Sequence, residues 1–121
     1  MAKIMHIEDD ADTQQVVKMI LETQGHSIVG ASNGMDALKI LDRESNFSLI
    51  MLDIMLPDIS GWDIFEKLKK MKYKAKVVFL SAIPVSEERM HSLKKQGVSD
   101  YIEKPFSKSN LISRINNVLS K

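Results

Sequence analysis

The chain has 121 residues, 44% of them hydrophobic and 27% charged, with a formal net charge of +1. That length suits one domain with a core of its own, and the even charge balance leaves no long-range field to gather nucleic acid or anionic membrane. With no cysteine in the sequence, disulfides, thiolate zinc sites and cysteine nucleophiles are excluded, and a reducing compartment is the natural setting. No apolar run approaches the length of a membrane span, and Met1-Ala2-Lys3-Ile4 leads straight into a strand-like segment rather than a signal peptide. The chain therefore reads as a single cytoplasmic domain over residues 1–121, with no output domain.

Short apolar runs alternate with amphipathic stretches, the pattern of βα units that build a parallel sheet covered by helices on both faces. The first strand is Lys3-Ile4-Met5-His6-Ile7-Glu8. A helix is then expected from near Asp12, read as its N-cap with Gln15 completing a capping box, carrying Val16, Met19 and Ile20 at helical spacing and ended by Gly25. Residues 26–31 form the second strand, and the second helix carries Ala37, Leu38, Ile40 and Leu41. The third strand, 48–53, is nearly continuous in hydrophobics and ends in Asp53. A third helix runs from about Gly61 to Lys70. The fourth strand is 76–81, ending in Ser81, and the fourth helix runs from Ser86 to Gln96. A short fifth strand, Asp100-Tyr101-Ile102-Glu103, precedes a last helix from Ser107 to Leu119. Ser86 and Ser107 stand where N-caps belong. Methionines 5, 19, 51 and 71 are assigned to core packing.

In an open parallel sheet, ligands bind beyond the carboxyl ends of the strands, where the strand order reverses. Glu8-Asp9-Asp10 follow the first strand and Asp53 ends the third. In the order 2-1-3-4-5 those strands are neighbours, and their acids share one pocket. Carboxylates about 5 Å apart repel by roughly 3 kcal/mol at an effective dielectric near 20, so the pocket requires a cation. Lys104, just beyond the fifth strand, supplies one positive charge. Glu8, Asp9, Asp53 and Lys104 then sum to two negatives, which one hard divalent ion would neutralise, and oxygen ligands favour Mg²⁺ or Mn²⁺ over zinc. Neutralised in this way, the pocket would admit a phosphate donor and leave Asp53 free to attack phosphorus. Ser81 could donate its hydroxyl to a phosphoryl oxygen, and Lys104 could pair with another.

The segments Ile7-Glu8-Asp9-Asp10, Asp53-Ile54-Met55-Leu56-Pro57-Asp58-Ile59-Ser60-Gly61, Leu80-Ser81-Ala82 and Asp100-Tyr101-Ile102-Glu103-Lys104-Pro105-Phe106 together resemble the receiver domain of two-component response regulators. The resemblance covers essentially the whole chain. It implies a flavodoxin-like, doubly wound five-stranded sheet in a three-layer sandwich. It further implies that Asp53 takes a phosphoryl group from a sensor histidine kinase, a phosphotransfer protein or a small donor such as acetyl phosphate. Mg²⁺ would be held by Asp9, Asp53 and the backbone carbonyl of Met55, with Glu8 reaching it through water. Ser81 and Lys104 carry over as phosphoryl ligands, and the Lys104–Pro105 bond as cis. Ser81 and Tyr101 carry over as the switch, with Tyr101 turning inward and altering the face of the fourth helix, fifth strand and fifth helix, where an unknown downstream protein would dock. Glu8 stands where many members have Asp, a longer arm for the same charge.

Such a chain is not an enzyme on external substrates and contacts neither nucleic acid nor membrane directly; it is expected as a monomer or a phosphorylation-dependent dimer. A Mg²⁺-dependent aspartyl phosphatase is the enzyme alternative, but the position two residues after Asp53, where such enzymes place an acid, is Met55. A receiver-fold scaffold that needs no phosphorylation is the binding alternative. Met55 and Ile83 flank the path of a hydrolytic water and cannot orient one, which predicts slow self-dephosphorylation. Asp10 reads as a helix cap, Asp58 as a turn residue beside Pro57, and His6, His26 and His91 as satisfied core or sheet residues. The lysines at 67, 69, 70, 72, 74 and 76 read as a solvated surface, and Trp62 as a ring near the site.

Overall fold

The computed structural model describes residues 1–121. In chain order the elements are β1 (Lys3–Ile7), α1 (Ala11–Glu22), β2 (Ser27–Ala31), α2 (Gly34–Arg43), β3 (Leu49–Leu52), α3 (Gly61–Lys70), β4 (Lys76–Ser81), α4 (Glu87–Lys95), β5 (Val98–Glu103) and α5 (Lys108–Leu119). All strand pairings are parallel, in the order β2-β1-β3-β4-β5. Parallel neighbours need helical crossovers, and the amphipathic segments supply them.

The central strands are apolar on both faces because both faces are covered. On one side Met5, Ile7, Ile50, Leu52, Phe79 and Tyr101 pack with α2, α3 and α4 through Ala37, Leu41, Ile64, Phe65, Leu68 and Leu93. On the other, Ile4, Leu49, Met51, Val78, Leu80 and Ile102 pack with α1 and α5 through Val17, Leu21, Leu111, Ile115 and Val118. The strand order reverses between β1 and β3, whose carboxyl ends carry the acids.

Helix starts follow their caps. Asn33, Ser60, Ser86 and Ser107 each accept from the backbone N–H three residues on, satisfying a donor that the helix itself cannot. The cap of α1 is Asp10 rather than Asp12: Asp10 takes the amide of Asp12 and the hydroxyl of Thr13. Turning the helix to that start buries Val17 and Leu21 and leaves Val16 and Met19 exposed, so Met19 is not a core residue, and neither is exposed Met71. Gly25 follows the helix with a left-handed φ of +85°. The last strand begins two residues earlier than expected, at Val98, and the register shifts between Val77 and Val78. Asp100, just past that irregularity, takes two hydrogen bonds from the Arg114 guanidinium, which provides for a charged residue inside a strand.

Candidate functional site

Glu8 and Asp9 leave the end of β1 and Asp53 leaves the end of β3. One carboxylate oxygen from each lies within 4.8 Å of the others. Glu8 and Asp53 are buried and Asp9 is exposed, so the cluster opens to solvent on the Asp9 side. Immediately past β5, Lys104 donates to both Glu8 and Asp53, at 3.1 Å in the second case. The Lys104–Pro105 bond that places it is cis.

The loop after β3 is held from two directions. Gly61 donates its N–H to Ile54 O at 2.8 Å, and a Cβ at Gly61 would stand 2.2 Å from Asp53 O, so only glycine allows α3 to approach the loop this closely. Asp58 reaches across to α2 and accepts from the amides of Gly34 and Met35, both at 2.8 Å. This loop clamp was not legible at Asp58, which reads in sequence as a turn residue. Its carboxyl is held below the usual carboxylate range chiefly by the Met35 amide, as an anion at a helix N-terminus should be.

The electrostatics of the cluster are unbalanced. Burial raises Glu8 to about 7; Lys104 opposes the shift and Asp53 adds to it. Burial acts to lower Lys104, but its bond to Glu8 and the charge of Asp53 outweigh that and raise it. One lysine among three acids leaves two negative charges, and the donors are all oxygen. A hard divalent cation such as Mg²⁺ fits this set, with Glu8, Asp9 and Asp53 as the side chains to hold it. Met55 is exposed and its amide donates to Asp53 at 3.3 Å.

Ser81 is buried at the end of β4, its hydroxyl accepting from Ile83 N at 3.2 Å. Tyr101, on the neighbouring strand, is buried with its ring inward and its hydroxyl donating to Ile83 O. Burial raises its phenol above the usual range. The β4–α4 loop is thereby bonded at Ile83 to both residues. Trp62 is more than a surface ring: it packs on Phe79 at 4.7 Å between centroids, with the Arg89 guanidinium over it at 5.0 Å.

His6 is buried as expected but not satisfied, since neither ring nitrogen has a partner. Burial, aided by the Lys104 charge, pushes it down to about 4, which keeps the ring neutral near pH 7. His26 accepts from Ala2 N at 3.1 Å through Nδ1 while its Nε2 has no partner, and His91 is exposed.

A doubly wound parallel sheet with clustered acids and a lysine at its switch point, and a buried serine ending β4, defines an α/β domain whose candidate ligand site lies at the carboxyl ends of its central strands. Residues 4–116 match the model of the family described as the response regulator receiver domain, and the chain belongs to that family, the receiver part of two-component response regulators. Among curated proteins it is similar to the response regulator SaeR of Staphylococcus epidermidis, 32% identical over the whole chain and 52% of that protein; the chain spans about half the length of the curated relatives it matches. Among solved structures, the receiver domain of the Francisella response regulator 1452 is 31% identical with a TM-score of 0.88, covering 99% of this chain and 98% of that one. The response regulator protein TrrA of Thermotoga maritima, solved in complex with Mg²⁺-BeF, is 28% identical with a TM-score of 0.81, covering 98% of this chain and 99% of that one.

Proposed function

We propose that Asp53 accepts a phosphoryl group, with Mg²⁺ held by Glu8, Asp9, Asp53 and the backbone carbonyl of Met55, and that Ser81 and Lys104 bind the transferred group. The observation that carries this reading is the convergence of three carboxylates within 4.8 Å around one lysine. That arrangement costs stability unless a cation and an anionic ligand complete it. The bound cation would offset the acids' repulsion of an incoming phosphate. Asp53 is buried in the one position bonded both to Lys104 and to the Met55 amide, so its carboxylate is aimed for attack on phosphorus. A phosphoryl oxygen on Asp53 offers Ser81 and Lys104 charge-assisted hydrogen bonds, and Ser81 would then give up its bond with Ile83 N.

The donor is a sensor histidine kinase, a phosphotransfer protein or a small acyl phosphate. A shallow groove beside the site, lined by Thr13, Val16, Ala82, Lys104 and Phe106, continues into the exposed Val16 and Met19 of α1 and suits an apolar helix that presents a phosphohistidine. Tyr101 and the β4–α4 loop transmit the state to the face of α4, β5 and α5, where a groove of about 440 Å³ lies between Met90, Tyr101, Phe106 and Arg114. The chain works as a cytoplasmic switch rather than as an enzyme on external substrates. Incubation with acetyl phosphate and Mg²⁺ should add one phosphoryl mass to the intact chain, and EDTA and Asp53→Asn should each prevent it. Modification that survives Asp53→Asn would defeat the assignment.

A further inference from the structure

We propose that the groove between α2 and α3 is a docking surface for an acidic amphipathic helix of a partner protein. The groove is shallow and open, with a volume of about 400 Å³. Met35, Leu38 and Met71 contribute its apolar surface, and the two methionines are 53% and 42% exposed, unbranched, adaptable side chains of the kind that mould to a partner. Lys39, Lys67 and Lys70 rim it against the single acid Asp42. The whole chain carries only +1, so this is a local concentration of positive charge.

None of these three lysines is in an ion pair, whereas nearby Lys69 is tied to Glu66 and stacked on Phe65. Lys72, just beyond, holds a left-handed φ of +54°, a conformation glycine or asparagine adopts at lower cost; a lysine stands there although the backbone favours another residue. The surface thus offers apolar anchorage inside a ring of cations. Its complement is a helix with two or three apolar side chains on one stripe and carboxylates on both flanks.

Other polyanions match less well. No aromatic ring lines the groove to stack a base, and its apolar side chains offer nothing to a phosphate backbone. The groove is also connected to the acid cluster, because Met35 at its edge donates its amide to Asp58 of the loop that begins at Asp53.

The test uses the whole chain in EDTA without phosphodonor, so its outcome is independent of the phosphoacceptor reading. The probe is a fluorescein-labelled helical peptide of about 16 residues, leucine along one stripe and glutamate elsewhere, followed by fluorescence anisotropy and amide NMR. Binding should shift resonances of residues 35–42 and 67–72 and weaken with added salt. It should weaken by about tenfold or more in Lys67→Glu/Lys70→Glu and clearly in Met35→Ser/Met71→Ser. All four positions are exposed, and unchanged thermal melts will confirm that the fold is kept. The proposal is overturned if the peptide does not bind, if a peptide with lysine in place of glutamate binds equally, or if the variants leave affinity unchanged. Stronger capture of phosphatidylserine vesicles or duplex DNA by the same lysines would also overturn it, as would self-association of the chain through this face.

Discussion

Replacing Asp53 by Asn should stabilise the metal-free fold while abolishing the proposed phosphoryl acceptance. At pH 8 the oxygens of Glu8, Asp9 and Asp53 lie within 4.8 Å of one another, so each pair repels by at least about 3.5 kcal/mol at an effective dielectric near 20. Lys104 at 3.1 Å from Asp53 returns about 5 kcal/mol on the same scale. Asparagine removes two repulsions and one attraction, a surplus of about 2 kcal/mol that solvent screening at exposed Asp9 reduces to about 1 kcal/mol. Urea unfolding in EDTA should therefore show a higher midpoint for Asp53→Asn at unchanged slope. Saturating Mg²⁺ should raise the wild type more than the variant, because the ion binds the intact cluster and not the unfolded chain. A variant less stable than wild type in EDTA would refute the reasoning, since Lys104 would then be holding the acids together without any need of a metal.

The pH dependence of the metal-free fold should separate two opposed groups. Glu8, raised to about 7, contributes stability that is present in acid and lost as pH rises through 7, whereas His6, lowered to about 4, contributes stability that is lost as pH falls from about 6.5. The two slopes oppose one another in the wild type, so Glu8→Gln in EDTA should lose stability more steeply on acidification from pH 7 to 5; parallel profiles would contradict the assignment. Gly61→Ala, whose new Cβ would stand 2.2 Å from Asp53 O, should cost at least about 2 kcal/mol in thermal unfolding, and an unchanged melting temperature would show that α3 can shift freely. Met55 and Ile83, whose amides donate to Asp53 and Ser81, are apolar and 66% and 36% exposed, so under the proposed function polar replacements at both should hasten loss of the phosphoryl group several-fold once donor is removed, as read by intact mass; an unaltered rate would place the barrier elsewhere.

The fold and the acid cluster were legible because both rest on short-range rules. Buried parallel strands are continuous runs of hydrophobics, and Glu8 and Asp53 directly follow two of them. Ser86 and Ser107 cap helices where the hydrophobic period begins. The errors arose where a residue's partner is distant in sequence. Asp58 looks like any acid beside a proline, and only the fold brings α2 within its reach. Asp12, with Gln15 three residues on, matches a capping box locally and Asp10 does not, and the choice of Asp10 depends on which face of α1 must be buried. Val98 was missed because Ser99 and Asp100 interrupt the apolar pattern, and the guanidinium that accommodates Asp100 comes from α5. The unpaired nitrogens of His6 could not be read at all, since an imidazole inside a strand gives no sign of what faces it.

The bridge from Asp58 to the first amides of α2 has a mechanical consequence. The segment that follows Asp53 is suspended from a neighbouring helix as well as from its own strand, so lengthening or reshaping the Ser32-Asn33 turn would tug at the rim of the acid cluster while leaving the sheet in register. Sequence drift at that distant corner is therefore a route by which domains with identical acids would come to hold those acids at different spacings.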